Sequence, residues 1–104
     1  LLNLILGTMI EPLLGRGKLT VLYHYPSSQS ALAKTLSISD EKVAERFEIY
    51  FEGIELANGY HELTDADEQE KRFHESNQHR LSLGKDALPL DINFLEALKR
   101  GLPD

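Results

Sequence analysis

Along the 104 residues the spacing of apolar and polar positions changes period several times, and each change marks an element boundary. Residues 1–10, LLNLILGTMI, are nearly continuous in apolar character and predict a buried helix, broken by Pro12, Gly15 and Gly17. LTVLYHYP at 19–26 is β-branched and aromatic and stops at Pro26, which predicts a strand. The Ser-rich stretch 27–42, SSQSALAKTLSISDEK, reads as a loop crossing a surface or a cleft, with a short helical turn near 31–36. RFEIYFEGIEL at 46–56 alternates with period two on either side of Glu52-Gly53, so it predicts a β-hairpin with glycine supplying the unusual backbone angle. Thr64 then offers an N-cap for a largely solvent-exposed helix over 65–81, with acids at 65, 67 and 68 suited to its positive end and Gly84 beyond its stop. Asp91 caps a last helix, INFLEALKR, whose buried stripe is Phe94, Leu95 and Leu98, closed by Gly101 and Pro103. Helices flanking an antiparallel hairpin, with few β-α-β signals, define an α+β class.

A two-residue loop at Glu52-Gly53 pairs Phe51 with Ile54, Tyr50 with Glu55, Ile49 with Leu56 and Glu48 with Ala57. One face of the hairpin is then apolar: Phe47, Ile49, Phe51, Ile54 and Leu56. The other carries Arg46, Glu48, Tyr50, Glu55 and Ala57. Glu48 and Glu55 become diagonal neighbours, roughly 7–8 Å apart at the backbone, close enough for two carboxylates to share a divalent cation. Glu62 has the wrong parity for that face unless an extra residue intervenes. Asn58-Gly59 is where a bulge is expected, and it would swing Tyr60 and Glu62 onto the acidic side; the rival use of Asn-Gly, a hairpin turn, would leave only a very short strand at 54–56. Spacing alone leaves two readings open, a solvated acidic sheet face and a cation site, and pattern favours the solvated face.

Composition narrows the field. One hundred and four residues make one domain or a piece of one, and 41% hydrophobic content is ordinary for a globular protein. Seventeen acids against 11 bases give a net charge of −6, which argues against broad electrostatic binding to nucleic acid. With no cysteine there is no disulfide, thiolate zinc site or Cys nucleophile, a composition that fits a cytoplasmic location. The opening apolar run is about half the length of a membrane span and has no basic residues before it. His74 and His79 are five apart rather than the four that grip zinc on a helix, and SSQSA lacks the GxSxG context of a serine nucleophile.

The stretch AERFEIYFEGIELANGYHELTDADEQEKRF, residues 44–73, resembles the late catalytic region of class II lysyl-tRNA synthetases, and most of all their truncated paralogues, the elongation factor P–lysine lysyltransferases. VLYHYPSSQSALAK at 21–34 is similar to the same paralogues' strand and loop, and INFLEALKRGLPD at 92–104 to the helix before the last class II motif. The resemblance implies an ATP- and Mg²⁺-dependent ligase and a class II synthetase-like antiparallel sheet with flanking helices. Residues 1–104 would then be part of one catalytic domain. By position it implies that Glu48 and Glu55 hold Mg²⁺ and orient the ATP phosphates. Asn58 contacts a lysine-type substrate, Tyr60 flanks its aliphatic chain, and Glu62 reads an amino group. Where synthetases usually carry Gly the chain has Ala57, as the paralogues do, and a methyl at the back of the pocket fits their preference for (R)-β-lysine. HELTDA, against the synthetases' more usual SELNDA, points the same way.

The residues contain neither the motif with the ATP-gripping arginine nor the GVDR-type motif of the family, so no catalytic residue is expected among them. The chain reads as a segment of a longer protein, inert alone, whose parent is a homodimer acting on elongation factor P without membrane attachment. Two further readings stand beside this one: a segment of a true lysyl-tRNA synthetase that charges tRNA, and a folding or association module without chemistry of its own.

Overall fold

The longest strand, EKVAERFEIYF, is the axis of the sheet. In the computed structural model, which describes residues 1–103, β3 spans Glu41–Phe51 and every other strand pairs with it antiparallel. Strand β1 (Thr20–Pro26) runs along one edge, from Thr20 opposite Tyr50 to Pro26 opposite Val43. Strands β2 (Thr35–Ile38) and β4 (Ile54–Tyr60) share the other edge end to end, β2 along Glu41–Ala44 and β4 along Arg46–Phe51. Backbone hydrogen bonds stitch their junction: Lys34 N–H donates to the His61 carbonyl, Glu45 N–H to Lys34, and His61 N–H to Glu45. The chain divides into two compact units, Leu1–His61 with the sheet and a second beginning at Glu62.

Both hairpins turn through left-handed residues. Glu52 and Gly53 have φ of 50° and 75°, which places the β3–β4 turn where the alternation predicts it. Ser39 and Asp40, at 49° and 66°, make an equivalent turn between β2 and β3 without a glycine, since a short Asp side chain tolerates this region. Residues 35–38 and 41–42 are therefore strand, not the expected loop. The helical turn foreseen near 31–36 is instead a 3-10 turn at Ser27–Gln29.

Residues 1–10 are helical but not buried. The α-helix Leu2–Ile5 (α1) passes into a π-wound Leu6–Ile10 and a 3-10 turn Glu11–Leu13, with Leu4 63% and Met9 65% exposed. The π winding shifts the side-chain period, so no continuous apolar stripe turns toward the sheet. Burial across the sheet is also the reverse of the hydropathy reading. Glu48 and Tyr50 are buried, while Phe47, Phe51, Ile54 and Leu56, on the apolar face, are exposed. Tyr25, Ala33 and Ala44 form the buried apolar cluster of this unit, with Leu22 against it.

In the second unit, α2 spans Ala66–Ser82 and α3 spans Ile92–Arg100. Asp65, not Thr64, caps α2, accepting from the N–H groups of Asp67 and Glu68 at 3.0 and 3.1 Å. A carboxylate is the stronger partner for this positive end. Asp91 caps α3 through Phe94 N–H at 2.9 Å, and Leu95 and Leu98 are its buried stripe with Phe94 half-buried against Phe73. Gln69, which patterning leaves on a solvent face, is buried. Among the described residues no helix is long and apolar enough to cross a membrane.

A Cβ at Gly53 would sit 2.7 Å from the Pro12 carbonyl oxygen in addition to demanding φ of +75°. Gly53→Ala is expected to lower stability by about 1–3 kcal/mol, read from the urea midpoint, and an unchanged midpoint would contradict this turn geometry.

Candidate active site

Opposed residues on an antiparallel pair share a face, so the β3–β4 register decides which chemistry meets. Phe51 faces Ile54 and Tyr50 faces Glu55, as expected. The register then shifts: Ile49 faces Ala57, Glu48 faces Asn58, Phe47 faces Gly59 and Arg46 faces Tyr60. The extra residue is Leu56, two positions before the bulge expected at Asn58-Gly59. Asn58 and Gly59 keep regular pairing, and the glycine leaves room for an aromatic neighbour. A Cβ at 59 would lie 2.6 Å from Phe47 Cζ.

The displaced bulge has a direct consequence. Three successive cross-strand pairs, Tyr50/Glu55, Glu48/Asn58 and Arg46/Tyr60, stack on one face, so Glu48, Glu55, Asn58 and Tyr60 come together. Glu48 and Glu55 are diagonal neighbours, as the simple hairpin also predicts. Ala57 is not on this face; it pairs with Ile49 on the opposite one, contrary to the unbulged pairing. Glu62 opens the second unit.

Glu48 is 9% exposed, and both its carboxylate oxygens are engaged. Arg46 Nη2 donates to Oε1 at 2.7 Å, and the Tyr50 hydroxyl donates to Oε2. Tyr25 Oη lies near enough to sense the carboxylate but outside hydrogen-bond geometry. Burial first, and then Glu48, push both tyrosine hydroxyls far above the ordinary phenol range, so they stay protonated. An open cleft of about 450 Å³ adjoins this cluster, its walls including Asn3, Leu6, Glu11, Tyr25, Arg46 and Glu48. Glu48 is thus shielded beside the N-terminal helical segment and neutralised by Arg46, a cation to which spacing alone gives no role, while Glu55, Asn58 and Tyr60 on the same face are exposed.

Glu55 is exposed, yet its carboxyl titrates above its ordinary range because of desolvation, then repulsion from Glu48 and Glu11, partly offset by Arg46. Mutual repulsion of hard oxygen donors is what a bound divalent cation relieves. Among the described residues no three His, Cys, Asp or Glu side chains form a metal cage. Two carboxylates suffice for Mg²⁺, which keeps waters and phosphate oxygens in its other positions; Glu55 is open to it, and each Glu48 oxygen keeps a second lone pair beyond its protein partner, so the pair fits that ion.

A four-stranded antiparallel sheet together with helices is consistent with an α+β class II synthetase-like segment. A family model, tRNA synthetases class II (D, K and N), matches residues 14–104, and the chain belongs to this family. It is 54% identical over all 104 residues to the elongation factor P–(R)-β-lysine ligase of Yersinia enterocolitica serotype O:8 / biotype 1B, of which it covers 32%. Identity is 53%, with the same coverage of both chains, to the ligases of that name from Enterobacter sp. (strain 638) and Salmonella gallinarum (strain 287/91 / NCTC 13346). The chain thus spans about a third of the length of these relatives.

A carboxyl whose folded-state pKa exceeds its unfolded value binds its proton more tightly when folded. Its contribution favours folding at low pH and is lost as pH rises through the folded-state value. Glu55→Gln removes that repulsion, so without ligand the variant should melt slightly higher than wild type at pH 7, with the gain shrinking toward acid pH. Thermal melts at pH 7 and pH 4 check this; a lower melting temperature at pH 7 would contradict it.

Proposed function

We propose that the chain is the part of an ATP-dependent ligase that binds Mg·ATP and a lysine-type amino acid. The parent protein activates (R)-β-lysine, or lysine, as an adenylate and transfers it to a lysine of elongation factor P. The observation that carries this reading is the face formed by Tyr50/Glu55, Glu48/Asn58 and Arg46/Tyr60. It sets two acids suited to Mg²⁺ beside an amide and an aromatic suited to an amino acid. Family membership and the names of the relatives point to the same chemistry.

Glu48 and Glu55 would hold Mg²⁺, which when bound neutralises phosphate charge as pyrophosphate leaves. Asn58 donates from its amide to the substrate, Tyr60 packs along the aliphatic chain, and Glu62 accepts from an ammonium group. The substrate carboxylate attacks the α-phosphorus of ATP and releases pyrophosphate. The acceptor amine then attacks the acyl carbon and releases AMP. Arginines that grip the nucleotide come from elsewhere in the parent, so the 104 residues bind weakly, if at all, and do not turn over. The parent is cytoplasmic, homodimeric and without membrane attachment.

In the full-length parent, Glu62→Gln should lower amino-acid-dependent ATP–pyrophosphate exchange through a raised amino-acid KM, with ATP affinity little changed. Unchanged exchange kinetics would remove Glu62 from the site. Ala57, exposed on the opposite strand face, would bear on selectivity through the backbone of β4 next to Asn58 rather than by direct contact. Ala57→Gly should therefore shift kcat/KM toward α-lysine over (R)-β-lysine, by less than the roughly 10–200-fold that a methyl in direct contact with substrate gives. An unaltered ratio would exclude Ala57 as a selectivity position. Acylation of tRNA instead of elongation factor P by the parent would favour a true lysyl-tRNA synthetase.

A further inference from the structure

Arg46 makes more contacts to the acidic face than a surface arginine needs. Its side chain is 20% exposed, and its guanidinium is the cation paired with the buried Glu48, Nη2 to Oε1 at 2.7 Å. The same Nη2 lies 3.4 Å from Asn58 Oδ1, and Nη1 donates to the Gln29 carbonyl at 3.1 Å. The guanidinium also lies 4.4 Å over the Tyr25 ring. A rigid fork with several donors can satisfy these partners at once; an ammonium is one point charge and cannot reproduce them together.

We propose that Arg46 is a positioning residue that couples the two halves of the ligand site. This rests on the adenylation reading. Glu48 and Asn58 face each other across β3 and β4, one assigned to the metal–nucleotide and the other to the amino acid. Arg46 holds both from the adjacent rung. Its hydrogen bond to Oε1, with that of the Tyr50 hydroxyl to Oε2, fixes the orientation of the Glu48 carboxylate, and its contact with Asn58 Oδ1 orients that amide so its N–H₂ faces the substrate. The Gln29 carbonyl and the Tyr25 ring anchor the fork, so the spacing between the two subsites is set by one side chain.

Such a residue acts on both ligands, whereas a residue that only supports the fold acts on yield and melting temperature. The test uses the full-length parent, with ATP–pyrophosphate exchange measured against Mg·ATP and against the amino acid. Arg46→Lys keeps charge and much of the aliphatic stem but loses the fork. It should raise both KM values by roughly tenfold in correctly folded protein. Asn58→Ala, at an exposed position, should raise the amino-acid KM and also the Mg·ATP KM by a few fold, because it releases one arm of Arg46. In the double variant the two effects should be clearly less than additive, since both changes break one bridge. Additive effects, or an Asn58→Ala variant with an unaltered Mg·ATP KM, would overturn the coupling role even if Arg46→Lys fails to fold. A wild-type parent active in exchange with an unaffected Arg46→Lys variant overturns the Arg46 role alone. A wild-type parent without exchange overturns the adenylation reading and this role with it.

Discussion

A carboxylate taken almost wholly out of water must be neutralised, and the Arg46–Glu48 pair meets that demand at the centre of β3. Removing one partner of such a pair strands the other charge at a cost of about 3–5 kcal/mol. The Tyr50 hydroxyl completes Glu48's second oxygen, and Tyr25 stacks under the guanidinium. The residues that form this polar core are also those that define the candidate site. A sheet face that could have been merely wet is instead organised around one ion pair.

That pair works only because of the register beside it. Leu56 inserts one residue into β4, which moves Asn58 opposite Glu48 and Tyr60 opposite Arg46. Without it, Ala57 would face Glu48 and the amide would point to the other side of the sheet. One bulged residue thus converts a row of acids into a graded surface: acids near the turn, then an amide, then an aromatic. Bulges next to functional sites commonly re-aim side chains in this way.

Much of the chain was legible wherever local chemistry decides the outcome. Glu52-Gly53 demanded a left-handed turn, Asp91 and Gly101 bounded α3, and the diagonal relation of Glu48 and Glu55 followed from strand period alone. What was hidden depended on partners distant in sequence. Residues 35–38 carry Ser and Thr and look like loop, yet β3 recruits them as a strand because its edge donors and acceptors need partners. The bulge falls at Leu56 rather than Asn58-Gly59, and Gly59 sits in regular pairing directly against the Phe47 ring. Hydropathy assigned the apolar face to the core, but the buried positions of the hairpin are Glu48 and Tyr50 on the other face, where Arg46 satisfies the Glu48 charge. Spacing marked the acids; only the tertiary pairing supplied their counter-charge. The family resemblance extended to the assigned residues but carried no information about Arg46.

The candidate site depends on Glu48 and Asn58 sharing one face through the bulge at Leu56. Cross-strand backbone NOEs in isotopically labelled protein test this most directly. The predicted pattern connects Glu48 with Asn58, Ile49 with Ala57 and Tyr50 with Glu55, leaving Leu56 without a directly opposed residue. An unbroken ladder connecting Glu48 with Ala57 and Ile49 with Leu56 would contradict it.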